Sequence, residues 1–151
     1  FKILREYGFA YDSSSYGTFD NIRKVHDILE IPVSTYKFSR DKNERRFPKH
    51  LSWNLLKTEM PIGSGYFIAL FGKKISSFIT KLNRKNQPYI MFIHPWQIEK
   101  PPTKPSYIIK NLLSNPAIFP YYINRKKTFE HLLERHKFVT FRDYISKNKL
   151  L

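Results

Sequence analysis

Five consecutive apolar residues, Tyr89-Ile90-Met91-Phe92-Ile93, run up to His94-Pro95-Trp96. The run is too short for a buried helix. It suits a strand covered on both faces, as strands of a parallel sheet are. Pro95 biases the residue before it toward an extended backbone, so strand geometry is expected to persist as far as His94.

Helices and further short strands are predicted on either side. Gly8 stands where a helix ending near Tyr7 needs a C′ residue. Phe9-Ala10-Tyr11 follows as a short strand, closed by Asp12-Ser13-Ser14-Ser15. Asp20 can cap a helix reaching about Leu29, with Ile22, Val25 and Leu29 on one face. Ile31 to Tyr36 reads as a strand, with Pro32 at its start or on an edge. Residues 37–60 are basic and irregular and read as an exposed excursion.

Pro61-Ile62-Gly63-Ser64-Gly65-Tyr66-Phe67 is a Gly-rich turn entering an apolar stretch. Ile75, Phe78, Ile79 and Leu82 follow helical spacing, and Asn86-Gln87-Pro88 breaks that helix. Residues 100–105 form a Pro-rich connection. Asn124 can cap a helix through about Arg135, Phe138 to Phe141 reads as a last strand, and Arg142 to Lys147 as a terminal helix. Helices alternating with short apolar strands predict an α/β fold with parallel strands.

A chain of 151 residues usually makes one domain. Its 41% hydrophobic and 17% aromatic content excludes a disordered chain. The absence of cysteine excludes disulfides, thiolate nucleophiles and Cys-type zinc sites, and leaves the compartment open. No apolar run approaches the length of a membrane-spanning helix, and no signal peptide is visible. Phe1 to Tyr7 reads as the end of an amphipathic helix with no cap before it, so an upstream part of the chain is expected to be missing. The net charge of +15 is concentrated between residues 37 and 86. An acidic upstream half can offset it.

His94 is the most informative residue. It ends a buried strand, where functional side chains of barrel-like α/β folds gather, and an imidazole there can move a proton near neutral pH. A hydrogen-bonded histidine bracing the strand end is the plainer alternative. Asp12 also ends a strand. Its carboxylate can hold an imidazole's second nitrogen, or simply open an Asx-turn. Trp96, Tyr66, Phe67 and Phe92 can wall a sugar ring, or pack as core. His131 and His136 fall on different faces of one helix and do not form a metal pair. His26 and His50 have no visible partners in the sequence.

Four segments, Gly8 to Ser14, Ile31 to Ser34, Pro61 to Phe67 and Phe92 to Glu99, occur in an order that resembles the C-terminal portion of polysaccharide deacetylases associated with bacterial exopolysaccharide export. Tyr121 to Asn124 and on to Arg142 resembles that subfamily's closing helix and strand. The resemblance covers nearly the whole chain. It implies that residues 1–151 are the C-terminal part of a distorted (β/α) barrel whose N-terminal half is missing. The implied activity is hydrolysis of N-acetyl groups on an aminosugar polymer in exopolysaccharide or cell-envelope metabolism.

In such enzymes an Asp and two His bind a divalent metal, usually zinc, and a second Asp is the base. A late His in a Leu-x-His motif protonates the leaving amine. Phe92-Ile93-His94 matches that last motif with Phe in place of Leu, and Asp12 corresponds to the carboxylate that orients the histidine, in surroundings that depart from the family's Asp-x-x-Trp pattern. The resemblance leaves the metal ligands upstream, so this fragment is expected to bind no metal. Two other readings stand beside it: a non-catalytic, glycan-binding deacetylase-like module, and a basic binder of nucleic acid or an anionic surface. The second is disfavoured, since no helix carries a basic face next to a stacking platform.

Overall fold

The computed structural model describes residues 1–18, 22–37, 59–83, 87–99 and 104–151. The Asp20 cap, His50, basic residues 38–58, Asn86 and most of the Pro-rich connection lie outside the described residues.

Helix α1 (Lys2–Glu6) ends as Gly8 predicts. Gly8 takes a left-handed φ of 77°. Its N–H donates to the Arg5 carbonyl and the Phe9 N–H donates to the Leu4 carbonyl. These are the two bonds of a Schellman motif. Strands β1 (Tyr11–Asp12) and β2 (Tyr16–Gly17) follow.

The helix expected from Asp20 to Leu29 is not formed. Residues 23–30 make a hairpin of β3 (Arg23–Val25) and β4 (Ile28–Glu30), with Val25 opposite Ile28. His26 and Asp27 turn the corner with φ of 49° and 62°. Two consecutive left-handed residues make the turn whose twist matches paired strands. Ile28, Leu29 and Glu30 are all buried, and a helix would have turned one of them to solvent.

Strands β5 (Val33–Ser34), β6 (Tyr36–Lys37) and β7 (Glu59–Met60) complete the described strands. β1 runs parallel to β4 and β2 parallel to β5, while β3/β4 and β6/β7 are antiparallel. The fold is mixed α/β, and the described strands close no barrel. The two parallel pairs are one tract. The amides of Leu29, Ile31, Val33 and Thr35 donate to the carbonyls of Ala10, Asp12, Ser15 and Gly17. One side advances evenly, and the other gains a residue between Asp12 and Ser15. That extra residue is a β-bulge, which re-aims the side chains around it.

Ser64 caps helix α2 (Gly65–Phe71) by accepting from the Phe67 amide. Helix α3 (Ile75–Asn83) follows the predicted spacing and buries Ile75 and Ile79. Later come α4 (Pro95–Ile98), α5 (Pro105–Ser114), α6 (Lys126–Arg135) and α7 (Phe141–Asn148). The N-cap of α6 is Arg125, not the predicted Asn124, and it makes no side-chain capping bond; Asn124, one residue earlier, accepts from the Lys126 amide at 2.9 Å. The strand predicted at Phe138–Phe141 is absent. The Thr140 hydroxyl instead accepts from the Asp143 amide and starts α7. No helix among the described residues is long and apolar enough to cross a membrane.

The strand expected over Tyr89–Ile93 is not formed, because its backbone bonds go singly to Ser34 and Gly63 and not into a regular ladder. Its alternation still divides two cores. Tyr89, Met91 and Ile93 pack on the cluster of Ile62, Ile68, Ile75, Ile79 and Leu132. Ile90 packs on Leu29, Ile31 and Ile145. The run has apolar neighbours on both sides but is not the fully covered segment expected: Tyr89, Ile90, Met91 and Ile93 are half-buried and Phe92 is 37% exposed. The Tyr89 hydroxyl donates to the Ile62 carbonyl at 2.6 Å. Burial pushes the phenol well above its usual range, so it remains a donor at any physiological pH. Tyr89→Phe deprives that carbonyl of its donor. The expected loss is about 1 kcal/mol, measured as a lower denaturation midpoint with an unchanged m-value.

Candidate functional site

Three segments distant in sequence are laced together beneath His94. The Gly63 amide donates to the Ser34 carbonyl at 2.8 Å, and the Ser34 amide donates to the Ile90 carbonyl at 3.0 Å. The Ile90 amide donates to the Ser34 hydroxyl at 2.8 Å. The Phe92 amide donates to the Gly63 carbonyl at 3.0 Å. This approach requires glycine at position 63. A Cβ there would overlap the Ile90 carbonyl oxygen and lie 2.9 Å from the Ser34 nitrogen.

His94 leaves this lacing with an extended backbone, φ −98° and ψ 148°, and Pro95 opens α4 behind it. Proline suits the first helical position because its missing N–H has no helical partner there. Gln97, 2% exposed, fixes the turn. Its carbonyl oxygen accepts from the His94 amide at 2.8 Å, and its amide nitrogen donates to the Gly65 carbonyl at 2.6 Å. A Cβ on Gly65 would overlap the Gln97 side chain. Both glycines of the Pro61–Phe67 motif therefore serve to seat the segment that carries His94.

The His94 ring stacks on Trp96, with centroids 4.2 Å apart and planes 7° from parallel. The Phe92 ring meets the imidazole edge-on at 5.5 Å. Tyr16 lies against Phe92 at 6.4 Å. Trp96 is 46% exposed. The result is an open row of flat rings with a half-buried imidazole within it. Tyr66 is the second residue of α2, just beyond Gly65, with its ring edge against Phe67. The structure thus joins Phe92, His94 and Trp96 in direct contact, and places Tyr66 on the helix that Gln97 ties to them.

Asp12 keeps different company. It accepts from the Ser14 hydroxyl at 2.9 Å. It stands in register with Glu30 on the neighbouring parallel strand. Glu30 is fully buried, and Ser15 donates to its Oε1 from both hydroxyl (2.6 Å) and amide (3.2 Å). Its pKa is raised, first by burial and then by the adjacent Asp12 carboxylate, against the lowering effect of the Ser15 bond. No direct hydrogen bond joins Asp12 to His94 among the described residues. The Ser15-Tyr16 dipeptide spans the gap, with Ser15 bound to Glu30 and Tyr16 packed on Phe92.

Glu30 and Ser15 were not legible as site residues. Their only sequence signal is an acid ending the apolar Ile28-Leu29 pair. Of the remaining histidines, His136 leaves α6 and its Nε2 lies 2.7 Å from the Ser76 hydroxyl. Burial, then the charges of His131 and Arg135, hold its pKa down. No group of three His, Asp or Glu side chains fit to hold a metal gathers among the described residues.

These features define a mixed α/β domain that presents an imidazole in an open aromatic row and pairs a buried Glu30 with a partly exposed Asp12. A model of the family described as a domain of unknown function (DUF3473) matches residues 5–146, and the chain belongs to that family. No curated protein and no solved structure matches it.

Proposed function

We propose that the chain is the C-terminal portion of a metal-dependent polysaccharide deacetylase, with His94 as its general acid. The observation that carries this reading is the seating of His94. Segments that individually resemble one enzyme family meet in space, and their shared product is an imidazole stacked on an exposed Trp96. The two parallel strand pairs fit part of a (β/α) barrel.

The reaction is amide hydrolysis. Water adds to the acetyl carbonyl carbon, the C–N bond breaks, and acetate and a free amine leave. An amine is a poor leaving group until its nitrogen is protonated, and His94 can supply that proton as the bond breaks. Trp96 and Phe92 offer apolar faces to the C–H surface of a sugar ring. The metal, usually zinc, would activate the water from ligands that the resemblance places upstream, and the described residues of this chain supply no such set.

The test uses the full-length protein with N-acetylglucosamine oligomers as the probe. Acetate release that stops on chelation and returns with zinc is the expected result. Oligomer binding without acetate release at any divalent metal would replace the enzyme with a glycan-binding module.

A further inference from the structure

Glu30 presents an unresolved pairing. Its Oε1 is satisfied twice by Ser15. Its Oε2 is buried and has no hydrogen-bond donor among the described residues. The neighbour it does have is another carboxyl group, Asp12, its register partner in the parallel pair. Two carboxylates side by side, one of them fully buried, repel strongly and leave that oxygen unsatisfied. A single proton removes both faults. It cancels one charge and turns Oε2 into a donor toward Asp12.

Which group keeps the proton follows from exposure. Glu30 has no accessible surface. Asp12 is partly exposed and lines a cleft of about 1030 Å³ together with Arg142 and Lys149. Ionisation is least costly where water and cations reach the group. Across the sheet, Arg23 is the register partner of Glu30 on β3, but it is exposed, and the charged group that bears on Glu30 is Asp12. We propose that Asp12 and Glu30 form a proton-sharing pair in which Glu30 keeps the proton and donates it from Oε2 to Asp12. Asp12 is then the charged member, held at a fixed angle toward the cleft. Glu30 is a positioning residue for it, and the bulge at Ser13-Ser14 is the device that brings Ser15 over Glu30.

The pair stands without the deacetylase reading; only its effect on turnover rests on that reading. Glu30→Gln is the decisive variant, because an amide copies the protonated acid: it accepts from Ser15 and donates to Asp12. In the full-length protein at neutral pH, the wild type should show the infrared carbonyl band of a protonated carboxylic acid, and Glu30→Gln should lose it. The folded state binds this proton more tightly than the unfolded chain. The stability it confers is complete below the ordinary glutamate pKa of 4.5 and is lost as pH rises through the raised folded value. Melting temperature should therefore fall with pH in the wild type more steeply than in Glu30→Gln. Where deacetylation is measurable, Glu30→Gln should keep near wild-type kcat, and Glu30→Ala should lose about tenfold or more. A missing acid band, together with Glu30→Gln destabilised as much as Glu30→Ala at every pH, would overturn the pair. A melting temperature raised by Mg²⁺ or Ca²⁺ in wild type but not in Glu30→Gln would overturn it too, by showing a cation between the two carboxylates. Failure of the turnover arm alone would count against the deacetylase reading and leave the pair intact.

Discussion

Replacing His94 with alanine in the full-length protein should slow release of acetate from N-acetylglucosamine oligomers by about 10²–10⁴-fold. That is roughly 3–5 kcal/mol of transition-state stabilisation at about 1.4 kcal/mol per tenfold. The size follows from the chemistry of the step. Addition of water to the carbonyl needs no proton from His94. Collapse toward amine and acetate does, because unprotonated nitrogen returns the intermediate to substrate.

The geometry suits donation. The ring is fixed on one side by Trp96 at 4.2 Å and on its edge by Phe92, and the backbone amide beside it is locked by Gln97. Metal affinity should change little, since the resemblance places the metal ligands upstream of this chain and His94 is not one of them. The competing reading is that His94 only braces the segment end. In that case the variant would lose stability and keep its turnover per folded molecule. Measuring kcat, melting temperature and bound metal together separates the two. Wild-type turnover in a folded, metal-loaded variant would remove the general-acid role.

The second large effect is on stability. Gly63→Ala should cost about 3 kcal/mol, the upper part of the usual range for overpacking. The added methyl meets the Ile90 carbonyl oxygen, the Ser34 nitrogen and a Val33 methyl. Two of these three atoms are backbone and cannot rotate aside. Relief requires parting the Gly63–Ser34 and Phe92–Gly63 hydrogen bonds. The entropy alanine removes from the unfolded chain offsets less than about 1 kcal/mol of this. For a domain of this size the melting temperature should drop by about 10 °C.

Gly8→Ala provides the control. Nothing lies within 4 Å of a Cβ there, and only the left-handed φ of 77° opposes the change. Its cost should be about 1–2 kcal/mol, with no effect on turnover. Gly63→Ala should lower activity per folded molecule as well, because the displaced segment carries His94. A Gly63→Ala protein as stable as wild type would show that the three segments do not approach as closely as described.

Much of this architecture was readable because it is local. The C′ role of Gly8, the spacing of Ile75, Phe78, Ile79 and Leu82, and the extended backbone before Pro95 each depend on a few neighbouring residues. The reading failed where one pattern served two structures. Ile22, Val25 and Leu29 have helical spacing, yet His26 and Asp27 turn the chain back and bury β4 against β1. Phe138 to Phe141 looked like a strand because it is apolar and β-branched, but a single hydroxyl on Thr140 starts a helix instead.

Taken by itself, the sequence determined the α/β character and the extended backbone at His94, and it named that histidine and its aromatic neighbours as candidates. Only the tertiary structure decided what stands beside Asp12. The register of β1 against β4 set Glu30 opposite it, and a bulge set Ser15 above Glu30. Pairing between strands distant in the chain is chosen by which faces can be buried together. No local periodicity encodes that choice, so a carboxyl pair made by register became visible only once both strands were in place.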